Sequence, residues 1–374
     1  MKNPLFLFHL FLMFNVHPIL AQHTCVFIGS FNWDKDTEGI YVYELDTVKG
    51  SLKKITSYTG ISNPSFLTVS PDGRFVYSCT ESKTPNAGSV SSFEFRYPEK
   101  SLTFLNKQPT YGENPVYLSV YENGKWLIEG NYTQSSASVY PLTKEGRIDT
   151  VAQHIGFSGG SIVKSRQEKS HIHSTVFSPD FKYVFIPDLG ADTIRCYKFD
   201  PSLKAPLQAF ENGSINTVPG SGPRHFTFHP NKKFAYCIEE LSGTIDAYHY
   251  KNGTLIHFQR IETHPKEITD GFESSDIHIS PDGKFLYVSN RGKEDNIAIF
   301  SVAKNGTLEN EGYQPVSGEH PRIFALDASG KFVIVANVRT SNVVVFKRDT
   351  TTGLLKKTGE EHIKNPSCIQ MYVY

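Results

Sequence analysis

Residues 220–243 read GSGPRHFTFHPNKKFAYCIEELSG. Arg224 to His229 alternates into an aromatic run, Pro230-Asn231-Lys232-Lys233 has turn chemistry, and Phe234 to Glu239 is again rich in strand formers, so the stretch spells a hairpin. Arg224 and Glu240 lie equally far from Lys232. A regular hairpin therefore brings the two together at its open end, within one residue of register. A cation facing a carboxylate there also describes a plain cross-strand ion pair. What sets this pair apart is that its hairpin recurs along the chain.

SPDGRFVYSCTE at 70, YENGKWLIEGNY at 121, SPDFKYVFIPDL at 178, HPNKKFAYCIEE at 229, SPDGKFLYVSNR at 280 and DASGKFVIVANV at 327 align, with spacings of 51, 57, 51, 51 and 47 residues. Each copy has a short strand before its turn and another after it. A third follows, such as VSSFEF or NIAIFS, then a fourth such as LTFLNKQ. Four strands in a unit of about fifty residues is the pattern of a propeller blade. Two ends stay unmatched. TCVFIGSF at 24 reads as a second strand, and NPSCIQMYVY at 365 reads as a first strand, matching NPSFLTVS at 63 and NPVYLSVY at 114. One blade is thus split between the termini. The expected fold is an all-β, seven-bladed β-propeller with four antiparallel strands per blade and the last blade closed by both ends, which removes free sheet edges.

The chain of 374 residues is 39% hydrophobic and 13% aromatic, enough for a large core, and the repeat makes residues 22–374 one domain rather than several. With 38 basic and 38 acidic residues and no long basic run, neither a nucleic acid nor an anionic membrane is an expected partner. Met1-Lys2-Asn3 precedes PLFLFHLFLMFNVHPILA, which His9, Asn15, His17 and Pro18 interrupt and which is short for a bilayer span. Ile19-Leu20-Ala21 before Gln22 resembles a signal-peptidase site. Residues 1–21 are therefore expected to be a signal peptide that exports the mature chain to the periplasm or the medium; a membrane anchor is the alternative. Cys25 follows Thr24 rather than the small residue of a lipoprotein signal. Five scattered cysteines, at 25, 79, 196, 237 and 368, form neither a zinc spacing nor a disulfide framework. The sequons at Asn131, Asn212, Asn252 and Asn305 matter only in a host that glycosylates exported proteins.

Antiparallel pairing places the residue that opens each first strand and the residue that ends each second strand on one rim of the central channel. The first set is Ser65, Val116, His173, Arg224, Ser275 and Arg322. The second is Glu81, Tyr132, Leu189, Glu240, Arg291 and Val338. Charge gathers there, and each charged residue has a structural reading beside its functional one. Arg224 and Glu240 also make a cross-strand pair, and Arg291 also makes a strand cap. His171 and His173, on one face, are either core histidines or an HxH metal pair, for which no acidic partner lies nearby. Asp188, in PDLGAD, reads best as a turn acceptor. Asp276 and His278 lie one strand before Arg291 and are held in reserve.

These segments together, SHIHSTVFSPDFKYVFIPDLGAD, GSGPRHFTFHPNKKFAYCIEELSG, SSDIHISPDGKFLYVSNRG and HPRIFALDASGKFVIVAN, resemble the seven-bladed lactonase family over about residues 24–374. That family includes propeller-type 6-phosphogluconolactonases and carboxy-cis,cis-muconate cyclases. The SPDG turns are common to many propellers, whereas GPRHF followed by EEL and then SNRG is more specific. The resemblance implies a catalytic set of His173, Arg224, Glu240 and Arg291, with His171 or His173 and Glu239 or Glu240 still to be separated. His171, Asp188, His225, Asp276 and Arg322 are the expected substrate-binding positions. It implies no metal and no cofactor. The expected partner is a small-molecule lactone or carboxylate, and the expected state a monomer. Lactone hydrolysis needs an activated water, a held oxyanion and a proton for the leaving alkoxide. Glu240 suits the first task, Arg224 and Arg291 the second, His173 the third. The same groups suit a cycloisomerase, and a non-catalytic binding propeller is the third reading. An exported enzyme meets unphosphorylated sugar lactones more readily than phosphorylated ones.

Overall fold

The structure is a computed structural model that describes residues 22–374 apart from Lys83 and Asn212; the expected signal peptide lies outside the described residues. The described residues form seven antiparallel sheets and no helix. Six blades follow the chain, and the seventh has the order Pro366–Val373, Thr24–Ser30, Ile40–Asp46, Ser51–Tyr58. The last strand of the chain is thus the innermost of the blade that the first strand begins, with Cys25 opposite Tyr372 and Ile28 opposite Ile369. Blade 3 departs from the pattern. Its fourth strand is broken into Leu207–Ala209 and Ile215–Asn216, which pair with opposite ends of Thr193–Phe199.

Burial explains why the second strands read as unbroken apolar runs. Thr24–Ser30, Phe234–Glu239, Phe285–Asn290 and Phe332–Asn337 are buried throughout, because each lies between two neighbouring blades. Tyr236 and Ile238 of blade 4 pack with Leu286, Val288 and Phe300 of blade 5. Fourth strands, such as Thr254–Glu262, are largely open to solvent. All five cysteines are buried and free.

The turn motif builds itself from its own side chains. Ser280 Oγ donates to Asp282 (2.6 Å) and accepts from the amide of Phe285 (3.0 Å), while Asp282 also accepts from the amide of Lys284 (3.1 Å). Ser70 with Asp72 and Ser178 with Asp180 repeat the arrangement. Gly283 sits at φ 69°, and a Cβ there would come within 2.7 Å of His229 in the adjacent blade.

The inner hairpins are not regular. Pro223 pairs with Glu239 and His225 with Ile238, which leaves Arg224 as an extra residue in a β-bulge. Arg322 and Val116 are bulged in the same way in blades 6 and 2. A bulged residue leaves the ladder, and its side chain is re-aimed, here into the channel mouth. Serines of one blade then hold the backbone that opens the first strand of the next. Ser174 Oγ donates to the carbonyl of Arg224 (2.9 Å), Ser275 Oγ to that of Arg322 (2.6 Å), and Ser367 Oγ to that of Ser65 (3.0 Å).

Candidate active site

Three guanidiniums converge on one carboxylate at this mouth. Glu240 Oε2 accepts from Arg224 Nη1 at 3.0 Å and lies 3.3 Å from Arg291 Nη2, while Oε1 lies 2.5 Å from Arg166 Nη2. Arg224 is essentially buried, and its Nε donates to the carbonyl of Ser275 (2.8 Å). Its Nη1 also contacts His173 Nε2, and its Nη2 is buried without a hydrogen-bond partner. The pocket these groups line, about 210 Å³, is completed by Glu81, Asn114, Val116, Tyr132 and Arg322.

Electrostatics give each group a definite state. Burial alone would raise the Glu240 carboxyl, but Arg291, Arg224 and Arg166 outweigh it and hold the group ionised, well below the usual carboxylate range. Burial, and after it the guanidinium of Arg224, drives His173 well below the ordinary imidazole value, so it is neutral at neutral pH. Burial also lowers Arg224, against the pull of Glu240 and with the push of Arg291 and Arg322. Four guanidiniums facing two carboxylates leave a surplus of positive field in the pocket.

His173 joins the cluster; His171 does not. The His171 ring stacks on Tyr132 at 4.5 Å, with its nitrogens against the Tyr132 carbonyl and Glu168 (3.1 Å each). Glu240 enters the site, whereas Glu239 faces the blade interior. There burial and the nearby Asp246 push it well above the usual range, a protonated carboxyl with neither oxygen partnered. Arg322 lines the pocket, its guanidinium 5.3 Å over the Phe31 ring and 3.8 Å from Glu81.

With His171, three further expected substrate-binding positions lie outside the lining. Asp188 is fully buried and accepts from the amides of His171 (2.8 Å) and Ala191 (3.1 Å), from Ser170 Oγ and from Arg195 (2.7 Å), so it fixes loop backbone. His225 Nδ1 meets Asp276 Oδ1 at 2.7 Å, and Asp276 Oδ2 takes His278 (2.9 Å) and the amide of Phe324 (3.1 Å). These two support the inner strands rather than reach the pocket, because the carboxylate's bonds are taken by neighbouring blades. Arg166 was not singled out by the sequence reading. Its segment lies between the turns at 121 and 178, the widest spacing in the repeat, and that excess length was the available signal. Among the described residues no group of three or more His, Cys, Asp or Glu side chains is placed to hold a metal.

A closed ring with a guanidinium-rich pocket at the channel mouth defines the class: a β-propeller that carries a cationic pocket on one rim. The family model described as "Lactonase, 7-bladed beta-propeller" matches residues 25–371. The chain is 41% identical to a 6-phosphogluconolactonase of Formosa agariphila over 352 residues, 93% of this chain and 99% of that one. It is 34% identical to a 6-phosphogluconolactonase of Bacillus subtilis, over 85% of this chain and 90% of that one. Among solved structures it resembles a periplasmic gluconolactonase of Pseudomonas aeruginosa with a TM-score of 0.87 at 33% identity, covering 94% and 99% of the two chains. The chain belongs to the seven-bladed β-propeller lactonase family.

Proposed function

We propose that the protein is a metal-independent lactonase that opens a sugar-type lactone at the channel mouth. The observation that carries this reading is the convergence of Arg166, Arg224 and Arg291 on Glu240 beside a neutral His173, with Arg224 Nη2 unpartnered. The names of the relatives support a sugar lactone as the substrate class. Water adds to the lactone carbonyl, a tetrahedral oxyanion forms, the ring C–O bond breaks, and the departing alkoxide takes a proton to give a hydroxy acid. Arg224 Nη2 and Arg291 hold the oxyanion, where preorganised donors act most strongly. Glu240 orients the water and receives its proton. The oxyanion that develops on the arginines offsets the field that depresses Glu240, so its basicity rises as water adds. His173 Nε2 accepts from Arg224, which puts the ring proton on Nδ1, buried and without another partner, and this is the proton assigned to the departing oxygen.

Export of the mature chain is part of the proposal, supported by the interrupted apolar leader and by the periplasmic relative. The test is hydrolysis of phosphorylated and unphosphorylated gluconolactone, by the mature chain and by Glu240→Gln, with chelator present. Turnover that the variant loses by about 10²-fold or more supports the reading. Loss of activity to the chelator sinks metal independence. No turnover of any lactone, with a muconate-type product instead, installs the cycloisomerase.

A further inference from the structure

Beside the arginine pocket, and sharing Glu81 and Asn114 with it as a common wall, lies a second cavity of about 350 Å³ walled by Phe31, Trp33, Val338 and Asn365. The arginine pocket alone is smaller than the roughly 300–1,000 Å³ of a usual ligand site, and with its neighbour it falls inside that range. Trp33 is 70% exposed. The loop that bears it is nonetheless pinned: buried Asn32 donates to the carbonyls of Asp34 (3.3 Å), Thr37 (3.2 Å) and Ile61 (2.9 Å), and Asp34 caps the amide of Asp36 (2.9 Å). Phe31 joins the two cavities, since its ring lies under the Arg322 guanidinium of the arginine pocket. Asn114 Oδ1 is buried without a hydrogen-bond partner at the shared wall.

We infer, resting on the lactonase reading, that this cavity is a subsite for a second pyranose ring, so that the preferred substrates are lactones of disaccharide aldonic acids. A pyranose has an apolar C–H face and hydroxyls around its edge. Two aromatic rings and a valine supply the face that the first wants, and Glu81, Asn114 and Asn365 supply the edge that the second wants. Trp33 presents a mostly exposed indole beside the arginine pocket, a face on which a sugar ring stacks. The shared wall means that a lactone seated among the arginines projects its substituent into this space.

The experiment compares glucono-1,5-lactone, cellobionolactone and maltobionolactone on the mature wild-type chain and on Trp33→Ala. It also follows tryptophan emission on adding cellobionate or maltobionate; Trp126 is the one other indole and gives the background. At least one disaccharide lactone is expected to exceed gluconolactone in kcat/KM by about tenfold, and Trp33→Ala to remove that advantage through KM while leaving gluconolactone turnover unchanged. The disaccharide acid is expected to shift the emission of the wild type and not that of the variant. Gluconolactone turnover with no disaccharide preference, no effect of Trp33→Ala and no emission shift overturns the subsite and leaves the lactonase reading standing. Preference for an aryl lactone such as dihydrocoumarin over both disaccharides also overturns it. If no lactone is turned over, the lactonase reading itself falls, and the emission change still decides whether the cavity takes a sugar ring.

Discussion

Arg224 shows how much a single residue does at this rim. It is bonded at once to Glu240, to the Ser275 carbonyl and to His173, and it keeps one nitrogen in reserve. Replacing it by Lys is expected to abolish turnover, because a point charge cannot reproduce a planar fork that reaches three partners. Steady-state kinetics with circular dichroism as a folding control check this. The two neighbouring histidines separate in the same assay: His173→Gln is expected to lose activity, and His171→Gln to keep it with a lowered melting temperature. Asp188→Ala is expected to cost about 3 kcal/mol in denaturant unfolding, since it leaves Arg195 without its carboxylate and two loop amides without their acceptor. Of each ambiguous pair, His173 and Glu240 are the members that line the pocket; alternation of faces along a strand separates Glu240 from Glu239, whereas His171 and His173 share a face and only the packing against Tyr132 separates them. Sequence missed the roles of His225 and Asp276, because which blade they bond to is not a local property.

At the scale of elements, the bulges and the loop before blade 3 decide the site. The hairpins were legible from their turns, but a regular ladder would have kept Arg224 and Arg322 paired along the strand. The extra residue in each sends the side chain into the mouth. The loop reaching Arg166 closes the pocket from one side, where its guanidinium meets Glu240 and Tyr132. Arg166→Ala is expected to raise KM with little change in kcat; equal losses in kcat and kcat/KM would place its contact in the transition state instead. The turns carry their own prediction. Gly283→Ala should destabilise by about 1–2 kcal/mol in chemical unfolding, for the left-handed backbone alone, and the contact with His229 adds to that.

For the molecule as a whole, closure and charge set stability. Pro366–Val373 is the innermost strand of the closing blade, and Tyr374 stacks on Tyr97 at 5.2 Å. Removing residues 365–374 opens the ring and exposes the edge of Thr24–Ser30, so the truncated chain is expected to show no cooperative unfolding transition, and the peptide NPSCIQMYVY to restore one. Burial lowers His225 to about 4 and His320 to about 3, and lowers His173 well below the ordinary imidazole value. Each of these binds its proton more readily unfolded, so stability rises with pH between those values and about 6.5. His278, raised by Asp276, has the opposite sign and gives up stability as pH climbs through its folded value. Glu240 and Asp276, both depressed, add a further loss below about pH 4. The buried carboxyls of Glu239 and Glu129, raised by burial, share the sign of His278, so the histidine contribution is read by difference: from pH 7 to pH 4 the melting temperature is expected to fall more in the wild type than in His225→Gln, measured by calorimetry at fixed salt.

Periodicity alone determined the number of blades, the split closing blade and the rim on which charge gathers, because strands of one blade are neighbours in sequence and a repeat records them directly. Turn chemistry such as SPDG is local, and so it was readable too. Only the tertiary structure decided that Glu240 is shared by guanidiniums from three separate segments, that Asp276 is consumed by bonds between blades, and that Trp33 stands beside the arginine pocket across the ring closure. Contacts between blades join residues fifty to three hundred positions apart. No local pattern encodes them, since their geometry is fixed by how seven sheets pack around one axis.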